Sequence, residues 1–269
     1  MALALHDATV QIGTATLLDG LSLAVEPGEV VAVVGPNGAG KSTALRLFAG
    51  ERAPELGEVR LDGRPLSAFD EGDLARRRAV LPQHAALAFG FSALDVVLLG
   101  RTPHAAGRRA DLDAAARAMH RAGVAHLAAR RYPTLSGGER QRVHLARVLA
   151  QLDGDASDSQ YLLLDEPTSA LDLGHQHAVL RTARAVAEDG VGVLAVLHDL
   201  NLAAQYADRI AVLSAGRRLA LGTPDEVLTP DVVRRAFAID VVVTPHPCAA
   251  CPLVIPVPSA AAVPGVVAA

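Results

Sequence analysis

Three observations predict an α/β fold with a mostly parallel sheet. Short apolar runs rich in β-branched residues lie at Glu29–Val34, Tyr161–Leu164 and Val191–Leu197, each of a length suited to a strand buried on both faces. Each is succeeded by a stretch with helical apolar spacing, at Ser42–Ala49, Ala178–Glu188 and Leu200–Ala207. Strands alternating with helices form parallel sheets. The chain of 269 residues is 51% hydrophobic and 20% charged, enough for a sizeable core in one large domain, alone or with a small appendage.

The remaining elements fall around that alternation. Ala4–Ile12 and Leu21–Val25 alternate loosely and suggest an N-terminal antiparallel β patch, extended by Glu58–Leu61 and its Asp62–Gly63 turn. Asp73–Gly123 is richer in Ala, Leu and Arg, with helical spacing around Leu94–Leu99 and Leu112–Ala122; it reads as a helical insertion. Ser136–Ala150 is expected to be helical, and Asp153–Gln160 an exposed polar loop. Ile210–Leu213 and Arg218–Leu221 flank Ala215–Gly216 as a hairpin, and Val232–Phe237 forms a last short helix. The expected organisation is a main domain over 1–240, with a helical subdomain at about 84–150, and a Pro-rich tail over 241–269.

The formal net charge of −4 gives no general footprint for nucleic acid or an anionic membrane. Short clusters such as Arg76–Arg78 read as solvated helix faces. Met1–Val10 has no positive charge ahead of its apolar residues and does not read as a secretory signal. Val241–Ala269 is free of charge, but Pro245, Pro247, Pro252, Pro256, Pro258 and Pro264 break any spanning helix. Cys248 and Cys251 stand beside His246; a zinc site wants four ligands, and the plain reading is two small residues in a tail. A reducing, cytosolic compartment is expected.

Lys41 is the only lysine; the other 24 basic residues of the Lys+Arg total are arginine. A compact ammonium is therefore kept where a guanidinium fork does not fit. Lys41 closes Gly35-Pro36-Asn37-Gly38-Ala39-Gly40-Lys41-Ser42, with Thr43 next, which fits G-x-x-x-x-G-K-[ST] between strand and helix. The glycines let backbone N–H groups turn inward around phosphate oxygens, and the helix start adds its positive end. Lys41 would reach the β- and γ-phosphates of ATP, and Ser42 would give an oxygen to Mg²⁺. The motif predicts the core of a P-loop NTPase.

Asp165 and Glu166 end the Tyr161–Leu164 run, where nucleotide-binding sheets carry their functional groups. Asp165 suits Mg²⁺; Glu166 suits orienting or deprotonating the attacking water. Leu135-Ser136-Gly137-Gly138-Glu139-Arg140-Gln141 places a Ser136 N-cap three residues before Glu139, a capping box. Two glycines behind the cap cost helix stability and leave N–H groups bare, an arrangement that favours an anion.

Together the phosphate loop, LSGGERQ, LLLDEP and a later His198 resemble the nucleotide-binding subunits of ATP-binding-cassette (ABC) transporters, to about Asp240. The resemblance implies that Gln83 senses Mg²⁺ and contacts the membrane partner. It implies that Ser169–Asp172 communicates between subunits, with Asp172 near nucleotide, and that His198 holds the γ-phosphate and catalytic water. It also implies a dimer of two copies, each ATP lying between Gly35–Thr43 of one and Ser136, Gly137, Gly138 and Glu139 of the other. One departure stands out. Members of the family stack adenine on an aromatic residue ahead of the phosphate loop; here Ile12 takes that place, as an ordinary strand residue or as a poorer platform.

Within the family, Val96–His104 (VVLLGRTPH) resembles iron-chelate, haem and cobalamin importers; Asp172–His177 (DLGHQH) and the Asp153–Gln160 loop resemble haem (hemin) importer ATPases. That implies a peripheral subunit on the cytoplasmic face of the inner membrane. Its partners would be two membrane permease subunits and, indirectly, a periplasmic binding protein, with no nucleic acid. His175 and His177 lie i, i+2 at a helix start and point to different sides, so direct haem ligation is not expected. Competing readings are a soluble ABC ATPase of DNA repair or translation, which would want a coiled-coil insertion or two cassettes, and a P-loop kinase, in which LSGGERQ has no role.

Overall fold

The computed structural model describes residues 1–83, 90–154, 158–169 and 171–257. Ala170, the middle of the Asp153–Gln160 loop, the start of the expected helical subdomain at 84–89, and Pro258 and Pro264 lie outside these residues.

The N-terminal patch is antiparallel. Strands β1 (Leu3–Ile12), β2 (Ala15–Val25), β4 (Leu56–Leu61) and β5 (Arg64–Pro65) pair in the order β2-β1-β4-β5. Between them in sequence come β3 (Val30–Val34) and helix α1 (Lys41–Phe48). After α2 (Glu71–Arg77), β6 (Arg78–Leu81), β7 (Tyr161–Asp165), β8 (Gly192–Val196), β9 (Arg209–Ser214) and β10 (Arg217–Gly222) join β3 in a six-stranded sheet of order β10-β9-β3-β8-β7-β6. All its pairings are parallel except β9 with β10. The expected mostly parallel sheet is therefore present.

The helices are α3 (Ala93–Leu98), α4 (Arg108–Arg121), α5 (Gly137–Leu152), α6 (Leu173–Glu188), α7 (Leu200–Tyr206), α8 (Pro224–Val227) and α9 (Pro230–Phe237). Successive residues of the buried strands serve opposite layers. Val31, Val33, Leu163, Leu194 and Val196 pack with α1 and the antiparallel sheet. Val30, Ala32, Val34, Leu162, Leu164, Val193 and Ala195 pack with residues of α3 to α7. Both faces being covered, these strands have no polar side, and that is why they appear in sequence as unbroken apolar runs.

Two elements differ from the sequence reading. Arg78–Leu81, taken there as part of a helical insertion, is the edge strand β6 of the parallel sheet. Its four residues are too few for a period to separate them from the Arg- and Ala-rich flanks. The proline-rich segment also contains a hairpin, β11 (Val241–Pro245) with β12 (Pro252–Pro256). The bonds Val257 N–H to Asp240 O and His246 N–H to Cys251 O, both 2.9 Å, set its parity. Pro245, Pro252 and Pro256 consequently stand in pairs that exchange no ladder hydrogen bonds, where a missing N–H costs the ladder nothing. Val241 and Val254 are buried in the main core.

Candidate functional site

Four neighbouring strands, β3, β8, β7 and β6, run parallel and end on one edge of the sheet. β3 leads into Gly35, β8 into His198, β7 into Asp165 and Glu166, and β6 into Gln83. Residues far apart in sequence thus converge because parallel strands deliver their carboxyl ends together.

The loop after β3 is shaped by two glycines. A Cβ on Gly35 would stand 2.2 Å from the Leu213 carbonyl oxygen, so no side chain fits. Gly40 caps α1 at φ 98°, a left-handed conformation that favours glycine. The β9–β10 turn braces the loop from outside, with Gly216 N–H donating to Ala39 O at 3.3 Å. Lys41 is buried and arches back over the loop, Nζ donating to Gly35 O at 2.8 Å and Pro36 O at 2.9 Å. Burial lowers its pKa, while the charges of Glu166 and Asp165 pull it back up. The ammonium thus bonds to its own loop and feels the charge of the two carboxylates.

Glu166 adopts φ 48°, a conformation that costs a non-glycine residue about 1–2 kcal/mol. Its carboxylate is gripped at both ends: Gln83 Nε2 donates to Oε2 at 2.5 Å, and His198 Nε2 lies 2.7 Å from Oε1. Asp165 is different. Burial raises its pKa and the adjacent Glu166 raises it further, with Arg46 and a Ser42 hydrogen bond opposing. Its buried Oδ1 has no hydrogen-bond partner among the described residues. An orphaned, desolvated carboxylate oxygen bonded beside a hydroxyl fits a hard divalent cation such as Mg²⁺, which takes few protein oxygens and completes its shell with phosphate and water. Gln83 engages Glu166 through its amide nitrogen, which leaves its carbonyl oxygen out of that bond.

Ser136 caps α5 as the spacing predicts: Glu139 N–H donates to Ser136 Oγ at 3.3 Å, and Ser136 N–H to Glu139 Oε2 at 2.7 Å. These hydrogen bonds and Arg130 hold the Glu139 carboxyl below its usual pKa. A Cβ on Gly137 would meet nothing within 4 Å, whereas Gly138 lies against Leu171 and His175. Ser136 and Gly137 are exposed, and none of the hydrogen bonds of Ser136 and Glu139 just described reaches the phosphate loop. The helix tip is displayed outward.

Asp172 caps α6, its Oδ1 accepting from His175 N–H at 2.9 Å and its Oδ2 2.8 Å from His175 Nδ1; these bonds hold its pKa down. His177 Nδ1 instead pairs with Tyr206 Oη at 2.8 Å. The two histidines therefore face different partners. Ile12, 57% exposed, ends β1 beside the hairpin to Ala15. Within VVLLGRTPH, Arg101 is buried and secures the end of α5, donating to Ala150 O at 2.7 Å and to Asp153 O. Sequence reasoning missed Asn201, whose side chain joins α7 to β12; no local pattern marks a contact with a hairpin 53 residues on.

A phosphate cradle, an acid pair, a histidine and a glutamine on one sheet edge, with a separately displayed glycine-backed helix tip, define a nucleotide-hydrolysing cassette. The chain belongs to the ABC transporter family, whose pattern matches residues 18–169. It is 54% identical over 254 residues to the Hemin import ATP-binding protein HmuV of Gloeobacter violaceus, covering 93% of this chain and 92% of that one. To the protein of the same name from Pseudomonas entomophila it is 53% identical, covering 90% and 95%. Among solved structures it resembles an inward-facing transporter described as metal-chelate type, with a TM-score of 0.80 and 27% identity over 95% of this chain and 97% of that one. It also resembles a dimeric ATP-binding cassette bound to ADP and Pi in a post-hydrolysis state, with a TM-score of 0.71 and 27% identity over 82% and 98%.

Proposed function

We propose that this chain is the ATP-hydrolysing subunit of an importer that takes up haem through separate membrane permease subunits. The observation that carries the ATPase is the convergence of Lys41, Asp165, Glu166, His198 and Gln83 at the ends of neighbouring parallel strands. Haem as cargo is supported by relatives named for hemin import, of which the two above align over nine-tenths of the chain. No helix among the described residues is long and apolar enough to cross a membrane, so the pathway belongs to partners. The subunit then sits on the cytoplasmic face of the inner membrane, and a periplasmic binding protein acts on the far side.

In this reading ATP lies along Gly35–Thr43, its phosphates held by loop amides and Lys41. Ser42 and Asp165 would hold Mg²⁺, with the Gln83 carbonyl oxygen as a further ligand, and the ion would supply charge neutralisation of the phosphates. Glu166 takes a proton from water as the water oxygen bonds to the γ-phosphorus; the bond from that phosphorus to the β–γ bridging oxygen breaks, leaving ADP and phosphate. His198 orients the γ-phosphate and water. The exposed tip Ser136–Glu139 meets the γ-phosphate of a second copy, and Asp172 sits at the junction. Two copies enclose two ATPs, and loss of a shared anion reopens them.

A ferric siderophore or cobalamin complex is the second cargo reading, supported by the metal-chelate-type neighbour. Proteoliposomes containing this chain and its permease, offered haem, a ferric siderophore and cobalamin separately, decide. ATP-dependent uptake of haem alone is expected; uptake of another cargo without haem overturns the assignment.

A further inference from the structure

The C-terminal hairpin is hydrogen-bonded to the start of α7 through the Asn201 side chain. In β12, Val254 belongs to a pair that exchanges no ladder hydrogen bonds with β11, so its N–H and C=O both point outward. Asn201 meets both: Val254 N–H donates to Asn201 Oδ1 at 2.8 Å, and Asn201 Nδ2 donates to Val254 O at 3.1 Å. A carboxamide carries one acceptor and one donor at the spacing of a peptide group and so stands in for the next strand.

Asn201 lies in the first turn of α7, three residues after His198. That turn is fixed locally by Asp199, whose Oδ1 accepts from Asn201 N–H at 2.7 Å and Leu202 N–H at 3.1 Å. Leu202 and Val254 are buried in the same core. The segment bearing His198 is therefore held between β8 on one side and the hairpin-anchored turn of α7 on the other. Among the described residues, Glu166 is the one polar partner of the exposed imidazole. Its placement depends on where the backbone carries it.

We infer that Asn201 is a positioning residue for hydrolysis: by fastening α7 to the C-terminal hairpin it sets the backbone that aims His198 at Glu166. This rests on the ATPase reading above. The bonds to Val254 use the side chain, whereas the Asp199 cap uses the backbone N–H, so Asn201→Ala removes the fastening and leaves the cap.

The test is single-turnover hydrolysis of pre-bound ATP by the intact chain, in which the rate constant is independent of the fraction folded and the amplitude reports that fraction. Asn201→Ala should slow the rate constant about tenfold at unchanged amplitude, since a displacement well under 1 Å costs less than the hundredfold typical of larger misplacement. Asn201→Asp, which keeps the acceptor but sets a carboxylate oxygen against the Val254 carbonyl, should slow the step at least as much as Asn201→Ala. Val254→Pro removes the N–H from the other side and should slow the step in the same direction. Rate constants within twofold of wild type for Asn201→Ala overturn the inference, whether or not amplitude or melting temperature drops. Absence of turnover by the wild type with Mg²⁺-ATP sinks the ATPase reading instead, and this inference with it.

Discussion

His198 Nε2 stands 2.7 Å from Glu166 Oε1 while Gln83 Nε2 holds Oε2 of the same carboxylate. Both oxygens of the expected base are thus engaged, one by each side chain. In the proposed mechanism the γ-phosphate draws the imidazole toward itself, which frees that side of Oε1 for the attacking water.

The first consequence concerns these two neighbours. His198→Ala should lower kcat about a hundredfold and Gln83→Ala about tenfold, with KM for ATP changing by no more than a few-fold, because both act on the transition state more than on binding. Steady-state phosphate release measures this. A large rise in KM at constant kcat would place both residues in binding instead.

Lys41 folds back over the loop, its ammonium donating to Gly35 O and Pro36 O. Lys41→Ala should weaken ATP binding by about a hundredfold or more, as expected for loss of charge-assisted bonds worth about 3 kcal/mol. Lys41→Arg should not restore it, since a planar fork cannot arch over Gly35 O and Pro36 O as a compact ammonium does. Calorimetric titration with ATP checks both.

Asp165 predicts a stability effect with a defined sign. Burial raises its pKa, so the part of the stability that comes from its protonated form is complete below the ordinary carboxylate range and disappears as pH rises through the elevated value. At neutral pH the folded chain carries the cost of a desolvated charge. Asp165→Asn should melt about 2 °C higher without nucleotide at pH 7 and show no advantage at about pH 3, where wild type is also neutral. The same variant should lose the Mg²⁺ dependence of ATP binding. Calorimetry at the two pH values tests the sign; equal melting at pH 7 contradicts it.

Ile12 is an exposed apolar residue where the family resemblance implies an aromatic platform. Ile12→Tyr should tighten ATP about fivefold, the equivalent of about 1 kcal/mol of stacking, and leave inorganic triphosphate binding unchanged. Unchanged ATP affinity would make Ile12 a plain strand residue.

Of the strands that deliver the site, β3, β8 and β7 were legible because each is buried on both faces and so carries an unbroken apolar run; Val30–Val34 and Tyr161–Leu164 are examples. The caps were legible as well, since Ser136 and Glu139 satisfy each other within four residues. β6 was not, because four residues contain no period. The hairpin was hidden for a different reason: proline density argues against a ladder only when the register is unknown, and here Pro245, Pro252 and Pro256 all occupy pairs that need no N–H. The grip of Gln83 and His198 on Glu166 spans distances in sequence that no local pattern encodes. The family resemblance named those residues; only the fold brings them to one carboxylate.

In the proposed dimer, polyphosphate is held between the loop of one copy and the Ser136 helix tip of another. Glu166→Gln should keep ATP bound, stop hydrolysis and let the enclosed complex accumulate. Light scattering of that variant at saturating Mg²⁺-ATP should give twice the mass of the chain, returning to a single chain with ADP or when Ser136 is also changed to Arg. A single-chain mass at saturating ATP, with nucleotide demonstrably bound, would contradict the claim.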